Sequence, residues 1–158
     1  MVDKQSGRAP QDIERLSIFE LGGKLFGLDI FKAREVIPVP RFTPLPNSEE
    51  IFLGVFNLRG EIYPLVDVSP VLGLARKNVG SDDMVIIVED AAGFPFGMLI
   101  DKIHSVIACS SGDMKNARGM VPKSMEKFLK GVLPHRDIFI YKLDLENIYR
   151  AKQILAHF

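Results

Sequence analysis

Short apolar stretches alternate with turn-forming residues along most of the chain. Leu16–Leu21 and Leu25–Ile30 flank the pair Gly22-Gly23, an arrangement that favours a β-hairpin. Apolar runs of similar length recur further along the chain, with Gly or Pro turns between them, at 84–89, 94–100, 103–108 and 128–145. This spacing predicts a chain built mainly from short β-strands.

The run from Gly54 to Val68 is the strongest hairpin signal. Ile62–Val68 is β-branched and apolar, which suits a buried strand, and Gly60 can adopt the positive φ of a tight turn. Arg59 adds a permanent charge to this apolar hairpin. Such a charge requires solvent, a carboxylate or a partner. A solvated turn arginine and a guanidinium held out for another protein both fit this pattern.

The connecting and terminal segments differ in composition from the strands. Residues 1–13 are polar and predict a flexible lead. The prolines at 38, 40, 44 and 46 predict an extended loop, because proline cannot donate into a central ladder. The stretch 47–50 can cap a short helical turn. Apolar spacing over 143–158 predicts a helix that forms a tail over 151–158.

An internal repeat relates the two halves of the chain. Phe26–Ile37 and Phe96–Ile107, offset by 70 positions, share six of twelve residues. At an offset of 77, Arg59 matches Arg136, and the hairpin around it matches the region after Gly131. The repeat predicts two intertwined five-stranded β-barrels packed side by side within one domain, 14–150, with subdomains at about 14–75 and 84–150. The fold class is therefore all-β with minor α.

The charge and the cysteine content of the chain disfavour some kinds of partner and exclude an intrachain disulfide. Lys plus Arg and Asp plus Glu both number 20, so the net charge is zero, which disfavours binding to nucleic acid or to an anionic membrane surface. Cys109 is the only cysteine, so no intrachain disulfide can form. There is no apolar run of about 20 residues. We expect a cytoplasmic protein without direct membrane insertion.

Few residues suggest catalysis or metal binding. His104, His135 and His157 lack metal-ligand spacing, and no phosphate-binding loop is present, so no metal or cofactor is predicted. The repeat-related Asp67 and Asp144 have two interpretations, as an acid–base pair or as caps of the turns that follow them. We favour caps and predict no catalytic residues.

Apolar residues around the proline-rich segment exceed what one small barrel face requires. They are either ordinary core or a protein-binding surface, and they comprise Phe42, Leu45, Ile51, Phe52 and the stretch Ala33–Val39.

Several of these motifs resemble one known family. They resemble the CheW-like domain. The resemblance is carried by the turn Asn57-Leu58-Arg59-Gly60 and by the strand after it, which ends in Pro64-Leu65-Val66-Asp67. It is also carried by Phe26–Ile37 and, more weakly, by the second copy over 130–145. The resemblance covers about 14–150. It implies two SH3-like barrels and a non-enzymatic chemotaxis coupling protein, monomeric alone, recruited to membrane-bound receptor arrays.

The resemblance also implies two partners. Arg59, with Asn57 and Gly60, matches the segment that contacts chemoreceptor cytoplasmic tips. The segment that docks on the regulatory domain of a CheA-type histidine kinase is matched by Ala33, Glu35, Val36, Ile37 and Phe42.

Three other functions remain open from the sequence. The first is a coupling protein of a non-flagellar chemosensory pathway, such as twitching. The second is a small barrel that binds nucleic acid, which the zero net charge disfavours. The third is an enzyme with Asp67 and Asp144 in a groove between the barrels.

Overall fold

A computed structural model describes residues 12–45 and 51–155. The described residues form ten strands: β1 Ile13–Leu21, β2 Lys24–Asp29, β3 Ala33–Pro38, β4 Phe52–Leu58, β5 Glu61–Val66, β6 Met84–Asp90, β7 Gly93–Ile100, β8 Lys102–Ser110, β9 Leu129–His135 and β10 Ile138–Leu143. They also form three short helices: α1 Lys123–Glu126, α2 Leu145–Tyr149 and α3 Lys152–Leu155.

The strands form two five-stranded sheets. The order β3-β6-β7-β5-β4 defines the mid-chain sheet, and the order β8-β1-β2-β10-β9 defines the terminal sheet, which uses strands from both ends of the described chain. Each sheet contains one parallel pairing, which is β5 with β7 in the mid-chain sheet and β2 with β10 in the terminal sheet. The other pairings are antiparallel. The predicted mostly β fold with two five-stranded units is therefore confirmed.

The internal repeat is visible in the topology. Adding five to the numbers of β1–β5 and subtracting five from those of β6–β10 converts one sheet order into the other, so β1 corresponds to β6 and β4 to β9. Two isolated bridges are also equivalent, because Thr43 pairs with Val55 while Lys115 pairs with Val132. The turns at Arg59 and Arg136 carry the two positive φ angles found at non-glycine residues in the described chain, 50° and 58°.

Both halves of the repeat, at about 14–75 and 84–150, contribute strands to each sheet. Strands β1 and β2 pair with β8 and β10 of the second half, and β3 and β5 pair with β6 and β7, while the edge strand β4 pairs only with β5. Each sheet thus combines two strands of one repeat with three strands of the other. A local repeat cannot reveal which strands are exchanged, because swapped and unswapped pairings have the same local sequences.

The described residues form three apolar cores. The largest lies between the sheets and receives side chains from both, including Phe19, Phe26, Ile86 and Phe96. A second core belongs to the mid-chain sheet, and a third belongs to the terminal sheet. Along β6, Ile86 faces the shared core while Val85 and Ile87 face the core of their own sheet, as strand alternation requires.

Ion pairs of Lys77 hold the segment between β5 and β6 against the sheets. The Lys77 ammonium lies 2.8 Å from an Asp83 carboxylate oxygen and 2.5 Å from one of Asp101, which precedes β8. Asp101 also accepts a hydrogen bond from Gly22 N at 2.8 Å, and Asp67 accepts one from Lys77 N at 2.8 Å. The Lys77 network therefore ties the linker to the turn between β1 and β2 and to the end of β5.

Other predicted segments are confirmed in part. The predicted C-terminal helix is present as two short helices, because α2 and α3 are separated at Arg150–Ala151. The loop expected over 109–127 contains a 3-10 turn at Ser111–Asp113 and the helix α1. The predicted flexible lead, apart from Asp12 and Ile13, and the capped turn at 47–50 lie outside the described residues. Ile13 already begins β1.

Gly54 provides a test of the packing of the proline-rich loop on β4. A Cβ at this position would collide with the Thr43 carbonyl oxygen and lie 2.9 Å from Phe42 Cδ2. We expect Gly54→Ala to lower the free energy of unfolding by about 1–3 kcal/mol, as overpacking against backbone does. Chemical denaturation measures this change. Gly80→Ala is the control, because its Cβ would make only ordinary contact, 3.5 Å from Asp83; equal losses would contradict the close approach at Gly54.

Candidate protein-binding site

The turn between β4 and β5 holds Arg59 in one position. Leu58 pairs with Glu61, so only Arg59 and Gly60 form the loop, with φ angles of 50° and 89°. Two successive positive φ angles are typical of a type I′ turn, which matches the twist of the flanking strands. The Asn57 side-chain oxygen accepts a hydrogen bond from Gly60 N at 3.0 Å. Asn57 and Gly60 therefore shape the turn that presents Arg59.

Arg59 forms an ion pair with Glu35 of β3. Its guanidinium donates a hydrogen bond to the Glu35 carboxylate, and this bond is the main reason that the pKa of Glu35 is lowered. The pair joins the edge strand β3 to the turn that follows β4, the strand at the opposite edge of the mid-chain sheet. The sheet must therefore curl round on itself. The sequence predicted Arg59 and Glu35 as parts of separate sites, and the structure brings them together.

The ion pair is open to solvent. The Arg59 side chain is 68% exposed and that of Glu35 is 35% exposed. Pairs of this kind add little to stability, because water screens them and ordering two long side chains costs entropy. Arg59 and Glu35 are therefore accessible to a partner.

The other residues predicted to bind the kinase are half-buried. Ala33 and Val36 pack against the shared core, whereas Ile37 and Phe42 pack against the core of the mid-chain sheet. A register shift between Ala33 and Glu35 explains why Ala33 and Val36 face the same core. The interpretation of this apolar segment as core is confirmed in part, because its side chains contribute to the cores. Its interpretation as a protein-binding surface stays a prediction for the area that remains exposed.

A groove beside the turn was missed by the sequence reasoning. It is lined by Arg41, Phe42, Thr43, Val55, Phe56, Asn57 and Ile62. Ile62 is 63% exposed although its apolar strand predicted burial. Strand alternation in the sequence could have predicted this exposure. Ile62 is next to the buried Tyr63, so its side chain must point to the opposite face of the strand.

Further charged residues surround the ion pair. Arg34 lies 3.5 Å from Glu89, and Glu61 accepts a hydrogen bond from the Tyr63 hydroxyl at 2.6 Å. That bond and burial together raise the pKa of Tyr63. Cationic and anionic groups therefore alternate around this end of the mid-chain sheet, which offers a partner polar contacts of both signs.

The second turn repeats the left-handed arginine but not the second positive φ angle, which Gly60 supplies in the first turn, nor the ion pair. Arg136 has the same left-handed φ as Arg59 and is exposed. The position that corresponds to Glu35 at the 70-residue offset is Ser105, which has no charge. Among the described residues Arg136 has no ion pair within 4.0 Å, so the two turns differ in their electrostatics.

The remaining candidate residues have structural roles. Asp144 caps α2, accepting a hydrogen bond from Asn147 N at 3.1 Å, as predicted. Asp67 is buried and accepts a hydrogen bond from Ser69 N at 3.0 Å. Within residues 12–45 and 51–155, no cluster of three His, Cys, Asp or Glu side chains could hold a metal ion. None of the helices described is both long and apolar enough to cross a membrane.

The fold and this surface define a small β module built from a duplicated five-stranded unit. Residues 15–153 match the model of the CheW-like domain. The chain belongs to the CheW-like domain family.

Individual relatives cover most of the chain. It is 27% identical over 146 residues to "Chemotaxis protein CheW" of Treponema pallidum, covering 89% of this chain and 84% of that protein. It is 29% identical over 140 residues to the protein of the same name from Rhizobium meliloti, covering 87% and 88%. The crystal structure of the scaffolding protein TtCheW from Thermoanaerobacter tengcongensis matches with a TM-score of 0.77 at 27% identity, covering 93% of this chain and 94% of that one.

Proposed function

We propose that this protein is a chemotaxis adaptor that links the cytoplasmic tips of chemoreceptors to a CheA-type histidine kinase. The observation that carries the proposal is the exposed Arg59, held in a type I′ turn on a CheW-like fold and adjacent to Glu35 of β3. The turn containing Asn57, Arg59 and Gly60 would contact the receptor. The face of β3 that includes Glu35 and Val36, with the nearby Phe42, would contact the regulatory domain of the kinase.

The proposed mechanism is geometric and needs no chemical step. Rigid sheets that share one core hold the binding residues at fixed separations, so the adaptor sets the distance between kinase and receptor. Individual contacts of micromolar strength, about −8 kcal/mol each, become effective in an array because neighbouring links raise the local concentration. The protein would be a monomer alone, located in the cytoplasm at receptor arrays. We propose no catalytic activity and no cofactor.

A coupling protein of a non-flagellar chemosensory pathway would use the same surface, so the proposal includes that variant. Binding to nucleic acid has little support, because cations and anions alternate around the exposed end of the mid-chain sheet. The buried Asp67 and the capping Asp144 give no support to an acid–base pair.

A bridging experiment tests the adaptor function. Immobilised cytoplasmic fragments of a chemoreceptor are mixed with the regulatory domain of a CheA-type kinase, with and without this protein. We expect the beads to retain the kinase domain only when the protein is present. Equal retention in both mixtures, or none in either, would show that the protein does not couple these partners.

The kinase-facing strand can be tested with Val36→Asp. A carboxylate on this half-buried position should weaken binding of the kinase regulatory domain at least tenfold, because it replaces an apolar contact. Titration calorimetry measures the Kd. Since Val36 also packs against the shared core, thermal denaturation and the milder Val36→Ala are needed as controls. An unchanged Kd in folded variants would exclude Val36 from the interface.

A further inference from the structure

A groove lies between the end of α1 and the corner that joins α2 to α3. Its volume is about 630 Å³, and it is lined by Lys127, Arg150 and Lys152 together with Asn147 and the buried Phe128. None of the described residues that line it is acidic, so the wall of the groove carries only positive charge. It contains no residue of the receptor-facing turn or the kinase-facing strand.

Hydrogen bonds fix the two walls of the groove relative to one another. Asn147 Nδ2 donates to the Lys127 carbonyl oxygen at 2.9 Å, which joins α2 to the end of α1. Asp144 N donates to the Phe128 carbonyl oxygen at 2.8 Å, and the Phe128 ring is part of the shared core. The groove therefore exists before any ligand arrives.

The three cations of the groove are available to a ligand. All three side chains belong to exposed residues. Arg150 lies 3.1 Å from Glu146, but this pair is open to solvent and therefore weak. The Lys127 ammonium lies 5.1 Å from the centre of the Phe128 ring.

The internal repeat shows that the fold itself does not need these cations. At the offset of 77 the buried Ile51 corresponds to Phe128, and Asp67 N donates to the Ile51 carbonyl oxygen at the same distance of 2.8 Å. The floor is therefore built in the same way in both copies. The three cationic positions correspond in the first copy to one acidic and two small residues, Glu50, Gly73 and Ala75.

We propose that this groove binds an acidic peptide segment of a partner protein. Carboxylates of the segment would pair with the three cations, and the planar guanidinium of Arg150 suits a carboxylate in particular. Asn147 Oδ1 can accept a hydrogen bond from a peptide N–H. This contact adds a third binding surface to the two of the proposed adaptor function, and it strengthens their combined attachment through multivalency.

Charge and shape favour a peptide over other polyanions. Tight binding of duplex nucleic acid needs many phosphate contacts, whereas the groove has three cations on a chain of zero net charge. The Phe128 ring is too buried for a base to stack on it. Clusters that bind anionic membranes have about 4–8 cations.

Fluorescence anisotropy with a labelled peptide of alternating glutamate and leucine tests the proposal. The matched probe has glutamine in place of each glutamate. We expect the acidic peptide to bind at least tenfold more tightly than the matched probe at low salt, and to lose this advantage at about 0.5 M salt, because exposed ion pairs are screened.

A triple variant locates the binding. Lys127→Gln, Arg150→Gln and Lys152→Gln combined should weaken binding of the acidic peptide about tenfold, since exposed ion pairs contribute roughly two- to threefold each. Thermal denaturation checks that the variant is folded.

The control variant combines Lys102→Gln, Lys115→Gln and Arg118→Gln. It also removes two lysines and one arginine, and these residues are exposed and lie outside the groove. We expect its Kd for the acidic peptide to stay within about 1.5-fold of wild type, because distant charges are screened.

Three results would overturn the proposal. The first is an acidic peptide that binds no better than its glutamine counterpart, and the second is equal weakening by the two triple variants. The third is tighter binding of duplex DNA, or of vesicles of phosphatidylcholine and phosphatidylserine, than of the peptide. These measurements use neither receptor nor kinase, so their failure is distinct from failure of the adaptor function.

Discussion

Lys77→Met should lower the free energy of unfolding by about 3 kcal/mol, near the lower end of the range for removing one partner of a buried ion pair. Lys77 and Asp83 side chains are each 11% exposed, and that of Asp101 is 32% exposed. The substitution keeps the apolar stem but leaves two carboxylates near one another without a cation. For a domain of this size, the corresponding decrease in Tm is roughly 6–12 °C. Differential scanning calorimetry at neutral pH measures it.

The pH dependence identifies the cause of this loss. Burial lowers the pKa of Lys77, but hydrogen bonds to Asp101 and Asp83 outweigh it and raise the pKa above 10.5. A raised pKa means that the stabilisation is fully present below about 10.5 and is lost as the pH rises through the folded-state pKa. The difference between wild type and Lys77→Met should therefore persist from pH 7 to 9 and narrow above pH 10.5.

Lys123→Met is the control for Lys77→Met, because Lys123 is exposed on α1. We expect it to change the free energy of unfolding by less than about 0.5 kcal/mol, as surface substitutions usually do. Equal losses for the two variants would show that the ion pairs of Lys77 contribute nothing specific.

Arg59→Ala should weaken binding of a chemoreceptor cytoplasmic fragment at least tenfold while leaving the fold intact. The guanidinium is exposed and its ion pair adds little to stability, so its loss should act on the interface. Titration calorimetry measures binding, and circular dichroism with thermal melting measures folding. A decrease in Tm that accounts for the lost binding would show that Arg59 is structural.

The repeat provides a control for Arg59→Ala within the same molecule. Arg136→Ala makes the same substitution at the same left-handed backbone conformation, on an equally short turn. Any effect of alanine at positive φ is therefore common to both variants. We expect Arg136→Ala to bind the receptor fragment like wild type, and a matching loss would contradict a specific role for Arg59.

Local features of the fold could be predicted from the sequence. The hairpin around Arg59, the positive φ of Gly60 and the five-strand repeat depend on residues close together in the chain. The identity of the strands exchanged between the intertwined repeats could not be predicted, because it depends on which distant strand pairs with each sheet edge. The same limit applies to the site. Arg59 and Glu35 were both predicted, but their contact depends on the curl of the mid-chain sheet.

The exposed position of Ile62 and the break between α2 and α3 were missed for a different reason. Composition favoured a buried strand at Ile62 and a continuous helix after residue 143. At Ile62, strand alternation beside the buried Tyr63 turns the side chain outward. At the C-terminus, Ala151 is buried and accepts hydrogen bonds from Ile154 N and Leu155 N, so a new short helix begins there.

The strand order also determines when each sheet can form during synthesis. Every strand of the mid-chain sheet lies between Ala33 and Ile100, whereas the terminal sheet needs β10, which ends at Leu143. At about 5–20 residues per second, translation of the intervening segment takes a few seconds. During most of that interval β2 lacks its neighbour β10, and Phe19 and Phe26 are only partly covered. The nascent chain is therefore most open to chaperones after the mid-chain sheet is complete.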